Sequence, residues 1–405
     1  MWVSGLLSEW FLLHGIPFLR SMPLVRDLPL IGGYFKISKI IIPMSDHAVI
    51  TRITQPTNAF FIGPNHPEFT TDWLIDKYIS THYAPSISCW AAASIINGGL
   101  KPFWLANNLI GNNGGERAKR YSIESALSGK GTLLHPEGTV RWRGDKIFDL
   151  LPGIVDMSVD AAREVAAEGI DKPVFILPLL WKILYDGNIE KALNRDLERL
   201  EKDLELPRLD SLTTAARYLK LQQNLLSKQM IRFGFDCAAV GGPDVDSAHR
   251  FFDSLLSELS SKYDVQAGTD HIHRVLFKLY KAARERQERT DQAKVEELQR
   301  LVSYSPETFQ KGFFYQEEIA EGIQFIKQIF FTKGYDSVKA SLPKPFGWRT
   351  LIIRAAEPID VTKAVRERGD SPDLNVALLK ELKARMEETL AQLVAECASN
   401  VKLYC

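Results

Sequence analysis

The sequence predicts an α/β protein: a central sheet flanked by helices, with a large helical insertion and an amphipathic N-terminal segment. Three observations lead there. Short apolar runs closed by turn residues recur at Ala59 to Pro64, Gly131 to His135 and Val174 to Leu180, the form of buried strands. Helical-period segments separate them, and that alternation is the mark of a largely parallel sheet. From about residue 188 to about 345 only helical periodicity appears, so one block of helices interrupts the α/β pattern.

The 405 residues are 45% hydrophobic and 25% charged, with 50 basic against 50 acidic side chains. This is an ordinary globular composition with room for a full core. A formal net charge of +0 excludes nucleic-acid binding driven by bulk positive charge, so any anion site must be local. Cys89, Cys237, Cys397 and Cys405 show neither C-x-x-C spacing nor a disulfide framework, and read as reduced thiols in a cytosolic setting.

From Met1 to Leu19 the only fully charged side chain is Glu9, among Trp2, Leu6, Leu7, Trp10, Phe11, Leu12, Leu13, Phe18 and Leu19. Gly15 and Pro17 interrupt the run before the roughly 20 residues a spanning helix requires, and no signal-peptide pattern is present. Residues 1–45 are therefore expected to lie in a membrane surface. Trp2 and Trp10 suit the headgroup boundary, Arg20 and Arg26 suit anionic lipids, and Lys36 and Lys39 flank a second apolar stretch ending at Pro43. The competing reading is a first core helix.

The next elements follow in order. A strand at Ala59 to Pro64 ends in a turn at His66. A helix starts immediately afterwards, with Pro67 at its first position and Phe69, Trp73, Leu74 and Tyr78 at helical spacing. Ala84 to Leu100 carries no charge and reads as a buried or membrane-facing helix. Lys101 to Ile110 holds a strand, Gly111 to Gly115 a loop, Glu116 to Leu127 a helix, Gly131 to His135 a strand and Ile154 to Glu168 a helix. The strand from Val174 completes the first block, residues 46–187. In the insertion, Leu193, Leu197, Leu200 and Leu204 define an amphipathic helix. Ser211 to Ile231, Asp246 to Tyr263 and His271 to Ser303 continue that style. The run Arg284 to Arg289 interleaves acids and bases and reads as a solvated face. Residues 346–405 return to the core with a strand at Arg349 to Arg354, a turn at Glu357 to Val361 and a helix from Asn375 to Ala398.

Chemistry concentrates at two strand ends. Six positions along a regular helix separate two side chains by about 120° and about 9 Å, so His66 must precede the helix if it is to meet Asp72. With its ring folded back, Asp72 accepts from one ring nitrogen and leaves the other to take a hydroxyl proton; Glu68 is a second candidate partner. Considered alone, a histidine beside a helix start is more often a cap-region residue. At the other strand end, Pro136-Glu137-Gly138-Thr139 with Arg141, Arg143 and Lys146 forms a polar turn. There Gly138 admits a ligand to the backbone and the basic residues suit a phosphate; the bland alternative is a solvated basic turn. Their convergence at the ends of strands, where α/β sheets hold ligands, favours a site. His271 and His273 lack further ligands at metal spacing, so no metal is expected. Tyr304 to Tyr315, with Phe309, Phe313 and Phe314, reads as packing within the insertion.

These residues resemble the glycerolipid acyltransferases, best known as 1-acyl-glycerol-3-phosphate acyltransferases. Their first motif is Asn-His, four variable residues and Asp, matched here by Asn65, His66 and Asp72; their third is Phe-Pro-Glu-Gly-Thr-Arg, matched around Glu137, Gly138, Thr139 and Arg141. The resemblance extends through Asn107 to Asn112, Val174 to Pro178 and Glu357 to Asp360, over about residues 55 to 187 and 347 to 400. Five residues rather than four separate His66 from Asp72. Asn112 stands where the family has an arginine, leaving Arg117 or Arg120 to supply the charge. His135 replaces phenylalanine, Val140 precedes Arg141, and Leu151 replaces a frequent lysine.

The resemblance implies an acyltransferase-like fold with His66 as general base and Asp72 as its partner. It also implies acceptor binding by Asn65, Glu137, Gly138, Thr139, Arg141, Arg143, Asn112, Arg117 and Arg120. The expected reaction moves a fatty acyl group from acyl-coenzyme A or an acyl carrier protein to a lysophospholipid or glycerolipid hydroxyl, with no further cofactor. The expected place is the cytoplasmic face of a membrane. A non-catalytic lipid-binding protein of the same fold is the alternative. A lipid-acting α/β hydrolase is weaker, because no G-x-S-x-G elbow occurs.

Overall fold

A computed structural model describes residues 36–92, 96, 105, 108–112, 115–140, 142–207, 211–235, 244–266, 272–303, 313–330, 345–369, 371–398 and 403–404. The chain divides into two compact units, one formed by Met1–Gly187 with Phe331–Val401 and the other by Asn188–Phe330 with Lys402–Cys405.

The first unit is α/β. Its chain runs through β1 (Ile37–Ile41), α1 (Met44–Ile53), β2 (Ala59–Pro64), α2 (Phe69–Tyr83), β3 (Ser88–Ala91), β4 (Leu109–Gly111), α3 (Gly115–Leu127), β5 (Thr132–Leu133), α4 (Gly153–Ala167) and β6 (Val174–Tyr185). The second unit then contributes α5 (Glu190–Asp203), α6 (Thr214–Arg232), α7 (Val245–Tyr263), α8 (Ile272–Glu285), α9 (Arg289–Ser303), β7 (Phe314–Tyr315) and α10 (Gln316–Phe330). The chain returns to the first with β8 (Arg349–Ala355), β9 (Ile359–Asp360), α11 (Val361–Arg368) and α12 (Leu374–Cys397), before β10 (Leu403–Tyr404) pairs with β7.

The sheet order is β1-β8-β6-β2-β5-β3-β4, with β9 beside β6. Pairing is parallel except where β8 and β9 meet β6, so the sheet is mostly parallel as the alternating pattern predicts. Strand β2 lies at its centre and is buried throughout. Its side chains alternate between two cores. Ala59 and Phe61 join Ile123, Ile154, Val159 and Leu382 on one face; Phe60 and Ile62 join Ile50, Ile75, Ile79 and Trp181 on the other. A sheet covered on both faces has little use for polar alternation, which explains the unbroken apolar run of β2. On β6 the same alternation sends Ile176 and Leu180 to one face and Leu177, Leu179 and Trp181 to the other.

Three expectations about local structure are corrected. Ser88–Ala91 within the uncharged stretch is a strand, paired in parallel with β4 and β5. An internal sheet position explains the lack of charge as well as a helix would. The helix after His66 begins at Phe69, because Glu68 is extended (φ −136°, ψ 142°). The segment from His271 to Ser303 is two helices, α8 and α9, broken where Gln287 takes φ 57° and the Glu288 amide bonds back to the Ala283 carbonyl at 2.9 Å. This is a helix C-terminal turn inside the charged run.

The second unit has its own core, with Leu226, Phe251, Leu255, Leu259, Leu276, Leu279, Val295 and Leu298 all buried. A buried Arg217–Glu201 pair, at 2.7 and 2.6 Å, ties α6 to α5. Among the described residues no helix is long and apolar enough to cross a membrane. Residues 1–35, to which most of the membrane-surface expectation attaches, lie outside the described part, as do His271, the His273 side chain, Phe309 and Arg141.

Candidate active site

Strands β2 and β5 are parallel neighbours, so the segments leaving their C-terminal ends emerge side by side. One carries Asn65 and His66; the other carries His135, Pro136 and Glu137. Strand β6 runs on past the end of β2, and Asn65 fastens to that extension. Its amide nitrogen donates to the Trp181 carbonyl at 3.0 Å, and its side-chain oxygen accepts from the Trp181 amide at 2.9 Å. Asn65 is only 1% exposed and behaves as one more rung of the ladder, fixing the direction in which the chain departs.

The extra residue between His66 and Asp72 is absorbed before α2. Extended Glu68 lets the chain double back, and Asp72 in the first turn receives the His66 ring, Nδ1 to Oδ2 at 2.8 Å. The same oxygen accepts from the Glu68 amide at 2.9 Å, and Oδ1 accepts from the Trp181 indole at 2.9 Å. Asp72 is fully buried. Burial raises its carboxyl well above the usual value and the neighbouring Glu68 adds to the rise, while the Trp181 indole and the Glu68 amide act the other way. Two of its donors are N–H groups that cannot accept, so the only nitrogen with which Asp72 can share a proton is Nδ1 of His66. With Asp72 ionised, Nδ1 keeps that proton and the lone pair lies on Nε2.

Glu68, the second candidate partner, is engaged elsewhere. Arg349, at the start of β8 and 2% exposed, donates through one guanidinium nitrogen to both Glu68 oxygens at 2.9 and 2.6 Å and through another to the Thr71 hydroxyl at 3.1 Å. Because β8 is antiparallel to β6, its first residue arrives at the same edge of the sheet as His66.

Glu137 is 2% exposed. One oxygen accepts from the His66 backbone amide at 2.9 Å and the other from the Phe148 amide at 3.2 Å, so it braces His66 from behind. Gly138, exposed in the turn, has φ 73°, and a Cβ there would sit 2.3 Å from Leu151. The left-handed backbone favours glycine there, and any larger residue would also have to push the end of the Leu151 side chain aside. Thr139 is exposed beside it, and Arg143 pairs with Asp145 at 3.1 Å.

The remaining candidates stand apart from this cluster. Asn112 and Arg117 are exposed after β4 and on α3, and β4 lies three strand spacings from β2, roughly 14 Å. Arg120 holds Glu164 of α4 at 2.6 Å and Glu124 at 2.9 Å. Among the described residues no group of three or more histidine, cysteine or acidic side chains could hold a metal ion.

Four residues of the cluster escape the motif reading: Asp76, His135 as a polar participant, Trp181 and Arg349. His135 stacks on His66, with ring centroids 4.0 Å apart and planes 18° from parallel. Its Nδ1 meets the Asn65 carbonyl at 2.9 Å and its Nε2 meets Asp76 at 3.1 Å. Asp76 was legible in principle, since it follows Asp72 by four residues and so shares its helical face.

Compared with known proteins, the sequence matches no protein-family model and shows no significant match to a curated protein.

Proposed function

We propose that this chain is an O-acyltransferase that moves a fatty acyl group from a thioester to the hydroxyl of a lysophospholipid or related glycerolipid. The observation that carries the reading is the His66–Asp72 pair at the C-terminal edge of a parallel sheet, a base whose tautomer is fixed by a buried carboxylate.

In this reading Nε2 of His66 takes the proton of the acceptor hydroxyl as its oxygen bonds to the thioester carbonyl carbon. The tetrahedral intermediate collapses with cleavage of the carbon–sulfur bond, and the thiolate leaves with the proton held by His66. No covalent acyl-enzyme is needed. Asp72 stabilises the imidazolium that forms, and Trp181 and the Glu68 amide hold Asp72 in place. Glu137 contributes by fixing the His66 backbone, so contact with the acceptor falls to the exposed Gly138 and Thr139 and to Arg141 and Arg143, which follow them in sequence. Asn112, Arg117 and Arg120 bind a more distant part of donor or acceptor. The apolar residues before Lys36 dock the enzyme on a membrane surface.

A matrix of acyl-coenzyme A and acyl carrier protein donors against lysophospholipid acceptors, read as thiol release, tests this. Acceptor-dependent release is expected for at least one pair. A protein that is inert with every pair yet floats with liposomes is a lipid-binding protein of this fold and not an enzyme.

A further inference from the structure

The ring beneath His66 has a protonation state dictated by its partners. Nδ1 of His135 faces the Asn65 carbonyl, which can only accept, so that nitrogen must carry a hydrogen. Nε2 faces the Asp76 carboxyl. The His135 and Asp76 side chains are 9% and 8% exposed, and the other Asp76 oxygen is buried with no hydrogen-bond partner. A buried carboxylate so poorly served by donors needs a counter-charge, and among the described residues the group bonded to it is His135. With Asp76 ionised, both nitrogens of His135 donate and the ring is an imidazolium.

We propose that His135 is a positioning residue that holds a fixed positive charge against the face of the His66 ring and so keeps His66 unprotonated, ready to act as a base, at neutral pH. The stacking geometry is the core of the argument. Two imidazolium rings 4.0 Å apart and nearly parallel repel, so protonation of one opposes protonation of the other. His135, locked to Asp76, is the one that keeps the charge. Its proton affinity agrees: burial lowers it, but the Asp76 charge, the hydrogen bonds to Asp76 and Asn65, and Glu137 outweigh burial, and the net change is upward. Among the described residues, the other charged groups on the elements that build this cluster include Glu68, Asp72, Asp76 and Lys77 of α2, Glu137 after β5 and Arg349 of β8. Arg349 is neutralised by Glu68, and Glu137 accepts from two backbone amides. Asp72, bonded to His66, and Asp76, on the far side of His135, favour His66 protonation; Lys77 and the His135 cation oppose it, and His135 does so from the ring face.

The assignment of His66 as the base of acyl transfer rests on the proposed function, but the charge state does not. Nitrogen-15 NMR of ring-labelled full-length protein reads it without turnover. In the wild type both His135 nitrogens are expected at the protonated shift through neutral pH, while His66 shows one protonated and one lone-pair nitrogen. The double variant His135→Phe with Asp76→Asn removes both charges and leaves neither buried alone. It is expected to raise the midpoint of His66 titration by about one pH unit, a tenfold gain in proton affinity. If the enzyme turns over, the acid limb of kcat/KM moves up equally. A lone-pair nitrogen on His135 at neutral pH, or a His66 midpoint that stays or falls in the double variant, overturns the proposal. The wild-type spectrum decides the matter even if the variant fails to fold. An inert wild type showing both signatures would sink the acyl-transfer reading and leave this one standing.

Discussion

At the scale of single residues, the site is two stacked histidines each tied to a buried aspartate one helical turn apart, and both ties have consequences for stability. A histidine whose proton affinity is raised by folding stabilises the native state below its unfolded value, about pH 6.5, and loses that contribution as pH rises through the higher folded value. Asp72, with its carboxyl raised by burial, acts in the same sense: the native state retains a proton that the unfolded chain gives up, so stability falls as pH rises past the usual carboxylate range. The expected outcome is a wild type that loses stability from mildly acid to alkaline pH, with a smaller loss in the double variant lacking His135 and Asp76. Urea denaturation across that range checks it, and equal slopes for the two proteins would contradict it. Cys89, by contrast, has no chemistry to offer, because burial pushes its thiol up to about 12.

Between elements, the decisive contact is Arg349 on β8 with Glu68 and Thr71 at the head of α2. This contact holds extended the residue whose extension allows His66 to reach Asp72. Removing one partner of a buried ion pair strands the other, so Arg349→Met is expected to cost roughly 3–5 kcal/mol, measurable by chemical denaturation, and to loosen the His66–Asp72 bond. A loss under about 1 kcal/mol would show that water replaces the guanidinium there. Some of this layer was readable from sequence. The apolar runs gave the strands, and the six-residue spacing required His66 to lie outside the helix. Arg349 could not be found that way, because it lies 281 positions from Glu68 and only the antiparallel return of β8 brings it to the site. The uncharged stretch at Ser88–Ala91 was ambiguous for a different reason: apolar composition records burial, and buried strands and helices share it. Glu137 and Asn65 were legible as candidate site residues, but not the backbone groups they hold.

For the whole molecule, an α/β unit with its site at one sheet edge accompanies a helical unit with a separate core, and the chain begins with an apolar segment. Since β1 starts at Ile37 and pairs with β8, a truncation of residues 1–35 removes no residue of the described strands. This variant is expected to keep the wild-type circular dichroism spectrum and lose liposome flotation; undiminished flotation would remove the docking role. The central claim, that His66 is the base of a direct acyl transfer, is tested most directly by acceptor-dependent thiol release in His66→Ala. Loss of the base is expected to lower kcat by about 10²–10⁴-fold without slowing donor binding. Turnover at the wild-type rate in that variant would contradict the account.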